Sequence, residues 1–178
     1  MRVIFAFVGV TIIGLIMALL VYLGAFKSVS LSLSEAGPIR LVSKHHVGPY
    51  HKIVPTIEEV EDWAAKNGET CQTSFGEYLD DPDTTDEDRL KSNVGCLVTG
   101  DWSKSLPHGF DYREIPRRQY VIAEFEGAPS IGPFKVYPKA KEFIASSGLL
   151  TSGSVIELYE RQKFQGLRTK YHFPVSKY

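Results

Sequence analysis

The chain has 178 residues and a formal net charge of −1, a length that suits one domain plus an appendage. The near-neutral charge, with Arg117-Arg118 as its densest basic spot, gives no electrostatic case for nucleic acid, which requires a basic face. Five histidines and two cysteines show no C-x-x-C or H-E-x-x-H spacing; with no phosphate-cradling glycine loop, G-x-S-x-G elbow or nucleotide fingerprint either, neither a metal nor a cofactor is expected.

No charged residue falls between Arg2 and Lys27. The run VIFAFVGVTIIGLIMALLVYLGAF is about 24 residues, roughly 36 Å as a helix, and predicts one transmembrane helix within residues 1–26. A cleaved signal peptide is the competing reading, but the run exceeds a signal core and no A-x-A site follows it. Tyr22 suits the bilayer interface, and Gly14 with Ala18 forms a small-x-x-x-small pair. Arg2 and the α-amine precede the run, which favours a cytoplasmic N-terminus and an extracytoplasmic domain. The bilayer is thus an expected partner. Residues 27–37, KSVSLSLSEAG, read as a serine-rich linker. Val29, Leu31 and Leu33 alternate with serines, so an edge strand is the other reading.

From residue 38 to 178 the pattern strand, helix, hairpin occurs twice. In the first half IRLVSKHHVG is a strand, and Thr56 with Glu59 has the spacing of a capping box. Ile57, Val60 and Ala64 form the helix stripe that Gly68 ends. CQTSFGEYLDD and KSNVGCLVT make a hairpin about DPDTTDED. In the second half QYVIAEFEG is a strand, Pro138 starts a helix with Ala140, Phe143 and Ile144 inward, and Gly148 ends it. SVIELYER and TKYHFPVSK then close a hairpin across 163–167. Two tandem β-α-β-β units imply an α+β fold with antiparallel sheets and helices on one side. If the helix-free faces meet, they form a concave cleft.

Glu157 decides what such a cleft could do. In SVIELYERQ, Ile156 and Leu158 share one face while Val155, Glu157 and Tyr159 share the other. Either that second face is wet, or it lines a pocket with Glu157 as its charge. The repeat register, Gly76 to Glu157 and Tyr78 to Tyr159, points both tyrosines into the cleft and leaves room at Gly76. A carboxylate walled by aromatics suits a cation. Tyr50, after Gly48-Pro49, packs at a helix start or touches ligand, and Trp102 on the loop GDWSKSLPHGFDYREIP is a lid or a plug. Trp63 reads as core. His45 and His46 point to opposite faces and do not share a metal. A hairpin symmetric about Asp83-Thr84 would set Cys71 opposite Cys96, so a disulfide and a pair of reduced thiols are both open.

KHHVGPY, GEYLDDP followed by NVGCLV, and IELYE together resemble the gyrase-inhibitor-like small-molecule-binding domain, which includes the effector-binding halves of AraC- and MerR-type multidrug regulators. Within that superfamily the chain most resembles the testis-expressed ER-phagy receptor and its relatives, through an N-terminal membrane helix and the K-x-H-x-G-x-Y pattern of Lys44, His46, Gly48 and Tyr50. The adaptor-binding tail of those receptors and the DNA-binding domain of the regulators are not in this sequence, so neither role is expected. The resemblance implies that Glu157 sits in the pocket and meets cationic or amphipathic ligands. It also implies a rarer branch of cyclopropane hydrolases, in which Glu157 would act as base and Tyr159 as orienter. The expected function is a membrane-tethered binding module for a small amphipathic or cationic molecule, with Glu157, Tyr159, Tyr78, Tyr50 and Trp102 as ligand-binding residues. A hydrolase and a membrane-anchored adaptor for a protein partner are the alternatives.

Overall fold

The computed structural model describes residues 2–68, 71, 73–99, 105–162 and 166–177. Helix α1 spans Arg2–Tyr22, strand β1 Val29–Ala36, β2 Ile39–Val47, α2 Val54–Lys66, β3 Thr73–Tyr78 and β4 Lys91–Leu97. Then come β5 Phe110–Ile115, β6 Arg118–Phe125, α3 Gly132–Ser146, β7 Leu149–Thr151, β8 Val155–Gln162 and β9 Gly166–Lys177.

The duplication is real, and its halves share one sheet rather than two. The order is β1-β6-β9-β8-β3-β4-β2-β5, with short β7 on β9. The triplets β6-β9-β8 and β2-β4-β3 are the same arrangement met from opposite ends, joined where β8 pairs antiparallel with β3. Each repeat alone would leave that strand as an open edge; pairing the two edges satisfies both rows of backbone groups. The outer edges are covered crosswise. Strand β1 leads into the first repeat but pairs with β6 of the second, and β5 does the converse on β2. Residues 29–36 therefore form the edge strand, not a free linker.

Helix α2 lies on β2, β3 and β4, burying Ile57, Val60 and Ala64 as their spacing predicts. The expected capping box does not form, because the helix begins a turn earlier with Pro55 in its first turn. Thr56 instead faces His46 at 3.4 Å, and Glu59 takes the Lys44 amine at 2.6 Å. Helix α3 lies on β1, β6, β7 and β9. It starts at Gly132-Pro133 and carries Pro138 in its interior, one and a half turns before that point was expected. Its buried line is Val136, Ala140 and Ile144, a four-residue spacing.

The helix-free face is not the cleft. Phe75, Ile156 and Leu158 from the centre of the sheet share one apolar cluster with Tyr120 of β6 and Ile39 and Leu41 of β2. Four strands separate β6 from β2, so the sheet curls about this face and fills its centre with hydrocarbon.

Two cysteines expected as either thiols or a bridge form a disulfide, Cys71–Cys96. Cys96 stands directly opposite Ser74, not Cys71, so the hairpin is not symmetric about Asp83-Thr84.

The membrane-anchor expectation is corrected. Residues 2–22 are helical, but among the described residues no helix is long and apolar enough to cross a membrane. The single-pass localisation, the bilayer as partner and the extracytoplasmic placement derived from them fall with it. After α1, the chain is bound to the second repeat: the Ala128 N–H donates to the Leu23 carbonyl at 2.9 Å, and the Lys135 amine donates to the Ala25 and Lys27 carbonyls.

Candidate functional site

The two helices each cover their own repeat, and the central strands β3 and β8 run between them. Alternation along β8 sends Ile156 and Leu158 into the filled face, so Glu157 and Tyr159 emerge on the helix side. Alternation along β3 sends Gly76 and Tyr78 to the same side. The candidate site is thus on the face opposite the one expected. Tyr78 and Tyr159 pack against Ile53 and Ile57 at the start of α2, and Tyr137 reaches in from α3.

Gly76, the position the repeat register equates with Glu157, stands directly opposite it across β3–β8 within the one sheet, not across a cleft between two. On the other side of β8, Tyr171 of β9 is paired with Glu157. The carboxylate is 3% exposed. Tyr137 donates its hydroxyl to Oε1 at 3.0 Å, and Tyr159 donates to Oε2 at 3.2 Å. The Tyr159 and Tyr78 hydroxyls are 2.6 Å apart. Gly76 makes this possible: a Cβ there would lie 3.0 Å from the Tyr78 hydroxyl and 3.2 Å from that of Tyr159. Gly132 plays the same part for Tyr171, whose hydroxyl occupies the space a side chain at 132 would need.

Among the described residues, no arginine, lysine or histidine forms an ion pair with Glu157. Burial therefore pushes its carboxyl up to about 7, and the Tyr137 and Tyr159 hydroxyls offset only part of that. Burial first, and the neighbouring carboxylate second, raise Tyr78, Tyr137, Tyr159 and Tyr171 above the ordinary phenol value. All four remain neutral donors over a wide pH range. A buried, under-neutralised carboxyl packed among phenols has the chemistry to attract a positive charge, by Coulomb attraction and by ring faces together.

Of the residues singled out from the sequence, the structure brings Glu157, Tyr159 and Tyr78 together. Tyr50 stands one layer back. Its ring packs edge-on against Tyr78 at 4.6 Å, while its hydroxyl donates to the Asp80 carbonyl at 2.8 Å and accepts the Asp80 N–H at 3.1 Å. Tyr50 thus braces the wall. Trp102 lies outside the described residues. Tyr137 and Tyr171 were missed. A helix starting at Pro138 places Tyr137 in a loop, whereas Gly132-Pro133 and the 136, 140, 144 spacing mark the earlier start. Tyr171 was legible in the alternation Thr169, Tyr171, Phe173, Val175, all buried on one side of β9.

A second buried carboxylate, Glu77, lies on the opposite face with Arg113, Asn93 and Ser154 as partners. Burial opposes its charge, but those hydrogen bonds and the guanidinium hold its carboxyl below the ordinary value. It is a satisfied structural ion pair, unlike Glu157.

Two fused β-α-β-β repeats with a carboxylate between their helices define a duplicated ligand-binding domain. Residues 32–176 match the GyrI-like small molecule binding domain, and the chain belongs to that family; domains of this family bind small molecules. The fold is shared with EcmrR in its DNA-bound transcription complex, at 20% identity and a TM-score of 0.69, covering 84% of this chain and 58% of that one. The isolated EcmrR C-terminal domain matches at 22% identity and a TM-score of 0.66, over 84% of this chain and 99% of that one. SAV2435 bound to tetraphenylphosphonium matches at 16% identity and a TM-score of 0.52, over 83% and 94% of the two chains. The chain therefore spans little more than half of the DNA-bound EcmrR chain. No curated protein matches significantly, and the family is shown without the finer likeness to the ER-phagy receptor.

Proposed function

We propose that the chain binds a small amphipathic or cationic molecule between α2 and α3, with Glu157 as the counter-charge and Tyr78, Tyr137, Tyr159 and Tyr171 as the walls. The observation that carries this reading is a buried carboxylate whose described partners are hydroxyls alone. A structural carboxylate in such a place ordinarily has a cation beside it, as Glu77 has Arg113. Entry requires the Tyr78 and Tyr159 hydroxyls above Gly76 to part. The tetraphenylphosphonium bound by SAV2435 supports the reading, since it is a lipophilic cation held by a protein of the same fold.

A thermal-shift and calorimetric titration with tetraphenylphosphonium tests it. Stabilisation and measurable affinity are expected in the wild type and at least a tenfold loss in Glu157→Gln. Equal binding by the variant would remove Glu157 from the role. A hydrolase reading is favoured by one observation, the Tyr159 hydroxyl 3.2 Å from a buried carboxyl that burial raises toward the range of a general base. Glutamate-dependent turnover of an activated cyclopropane substrate is its test.

A further inference from the structure

Among the described residues, tyrosine hydroxyls are the hydrogen-bond partners of the Glu157 carboxyl, and the groups that face it are uncharged near neutral pH. From α3 comes Tyr137, from its own strand Tyr159, from β3 Tyr78 beside Gly76, and from β9 Tyr171. Helix α2 contributes Ile53 and Ile57 behind Tyr78 and Tyr159. A carboxylate sealed in such a shell is costly to keep charged and takes a proton instead. A cationic ligand reverses the balance, because it supplies the missing positive charge at short range.

From this arrangement we propose that cation binding at Glu157 is an exchange, in which the arriving ligand expels one proton from the carboxyl to solvent. The inference rests on the binding role proposed above and adds its regulation: acid empties the site. The carboxylic O–H bond breaks, the carboxylate keeps the electron pair, and buffer takes the proton. A carboxyl near 7 sets the working range of the exchange within a unit or so of neutrality.

Tetraphenylphosphonium is the appropriate probe because it has a fixed charge and no N–H to titrate. Isothermal calorimetry on the full chain at pH 6 and pH 8, in phosphate and in an amine buffer of larger ionisation enthalpy chosen to buffer at each pH, reads the exchange directly. About tenfold weaker binding is expected at pH 6 than at pH 8. The apparent enthalpy at pH 6 should differ between buffers by the amount for close to one released proton, and the difference should nearly vanish at pH 8. Binding that depends on Glu157 but has the same affinity at both pH values, with buffer-independent enthalpy, would overturn the exchange while leaving the binding role intact. Absence of binding at either pH, or equal binding by Glu157→Gln, would overturn both.

Discussion

Gly76 and Glu157 face each other across the junction of the two repeats, equivalent positions of one duplicated motif placed side by side by the β3–β8 pairing. One has lost its side chain and the other carries the buried acid. The glycine's empty volume is where the Tyr78 and Tyr159 hydroxyls meet. Gly76→Ala should push those hydroxyls apart and cost about 1–3 kcal/mol, the usual range for overpacking. Urea denaturation of Gly76→Ala in the wild-type and Tyr78→Phe backgrounds checks this. A smaller cost in the second background is expected; equal costs would mean that the methyl group meets something else.

Glu157 and His172 should impose opposite pH dependences on folding. The unliganded folded chain keeps a proton on Glu157 that the unfolded chain releases above its ordinary value of 4.5. That contribution is full below pH 4.5 and is lost as pH rises through about 7, about 3 kcal/mol in all. Burial depresses His172 to about 4 from 6.5. Between those values the unfolded chain holds the proton the folded chain lacks, so this contribution is full above pH 6.5 and lost as pH falls through about 4. The two slopes nearly cancel in the wild type over the shared window. Glu157→Gln should therefore become acid-sensitive between pH 6.5 and 4.5 and gain stability at pH 8. Melting curves across pH read both effects, and a variant with the wild-type profile would remove Glu157 from the balance.

On the curled face, Glu77→Gln should leave Arg113 without its carboxylate partner and lower stability with no change in cation affinity. Arg113 is 41% exposed at its side chain, so solvent screening limits the loss to about 1–3 kcal/mol. Denaturation and tetraphenylphosphonium titration of the same preparation separate the two effects. A binding defect without a stability defect would assign Glu77 to the ligand.

The Cys71–Cys96 bridge closes a loop of sequence separation 25, which by chain entropy stabilises the folded state by about 3 kcal/mol. Cys71→Ser with Cys96→Ser, or reduction by a thiol, should lower the urea midpoint accordingly. An unchanged midpoint after complete reduction would show that the core around Val42 and Val60 holds the hairpin unaided.

Much of the architecture is legible along the chain because strand and helix periodicities are local. The duplication, the α2 stripe and the equivalence of Gly76 with Glu157 follow from spacing alone, whereas their facing each other depends on the β3–β8 pairing. The start of α3 was misplaced because proline is strongly disfavoured inside helices, and Pro138 is the exception that packing tolerates. That misplacement hid Tyr137, the hydroxyl nearest the Glu157 carboxylate.

Alternation determined that Glu157 and Tyr159 share a side and that Ile156 and Leu158 share the other, since successive side chains on a strand must diverge. It could not say which side receives the helices, because both sides of β8 are buried. Only the tertiary structure decided that, by curling the sheet until one face closed on its own hydrocarbon. It also raised the Glu157 carboxyl above its ordinary range, for desolvation sums over groups from α3, β3, β8 and β9 that no stretch of sequence holds together.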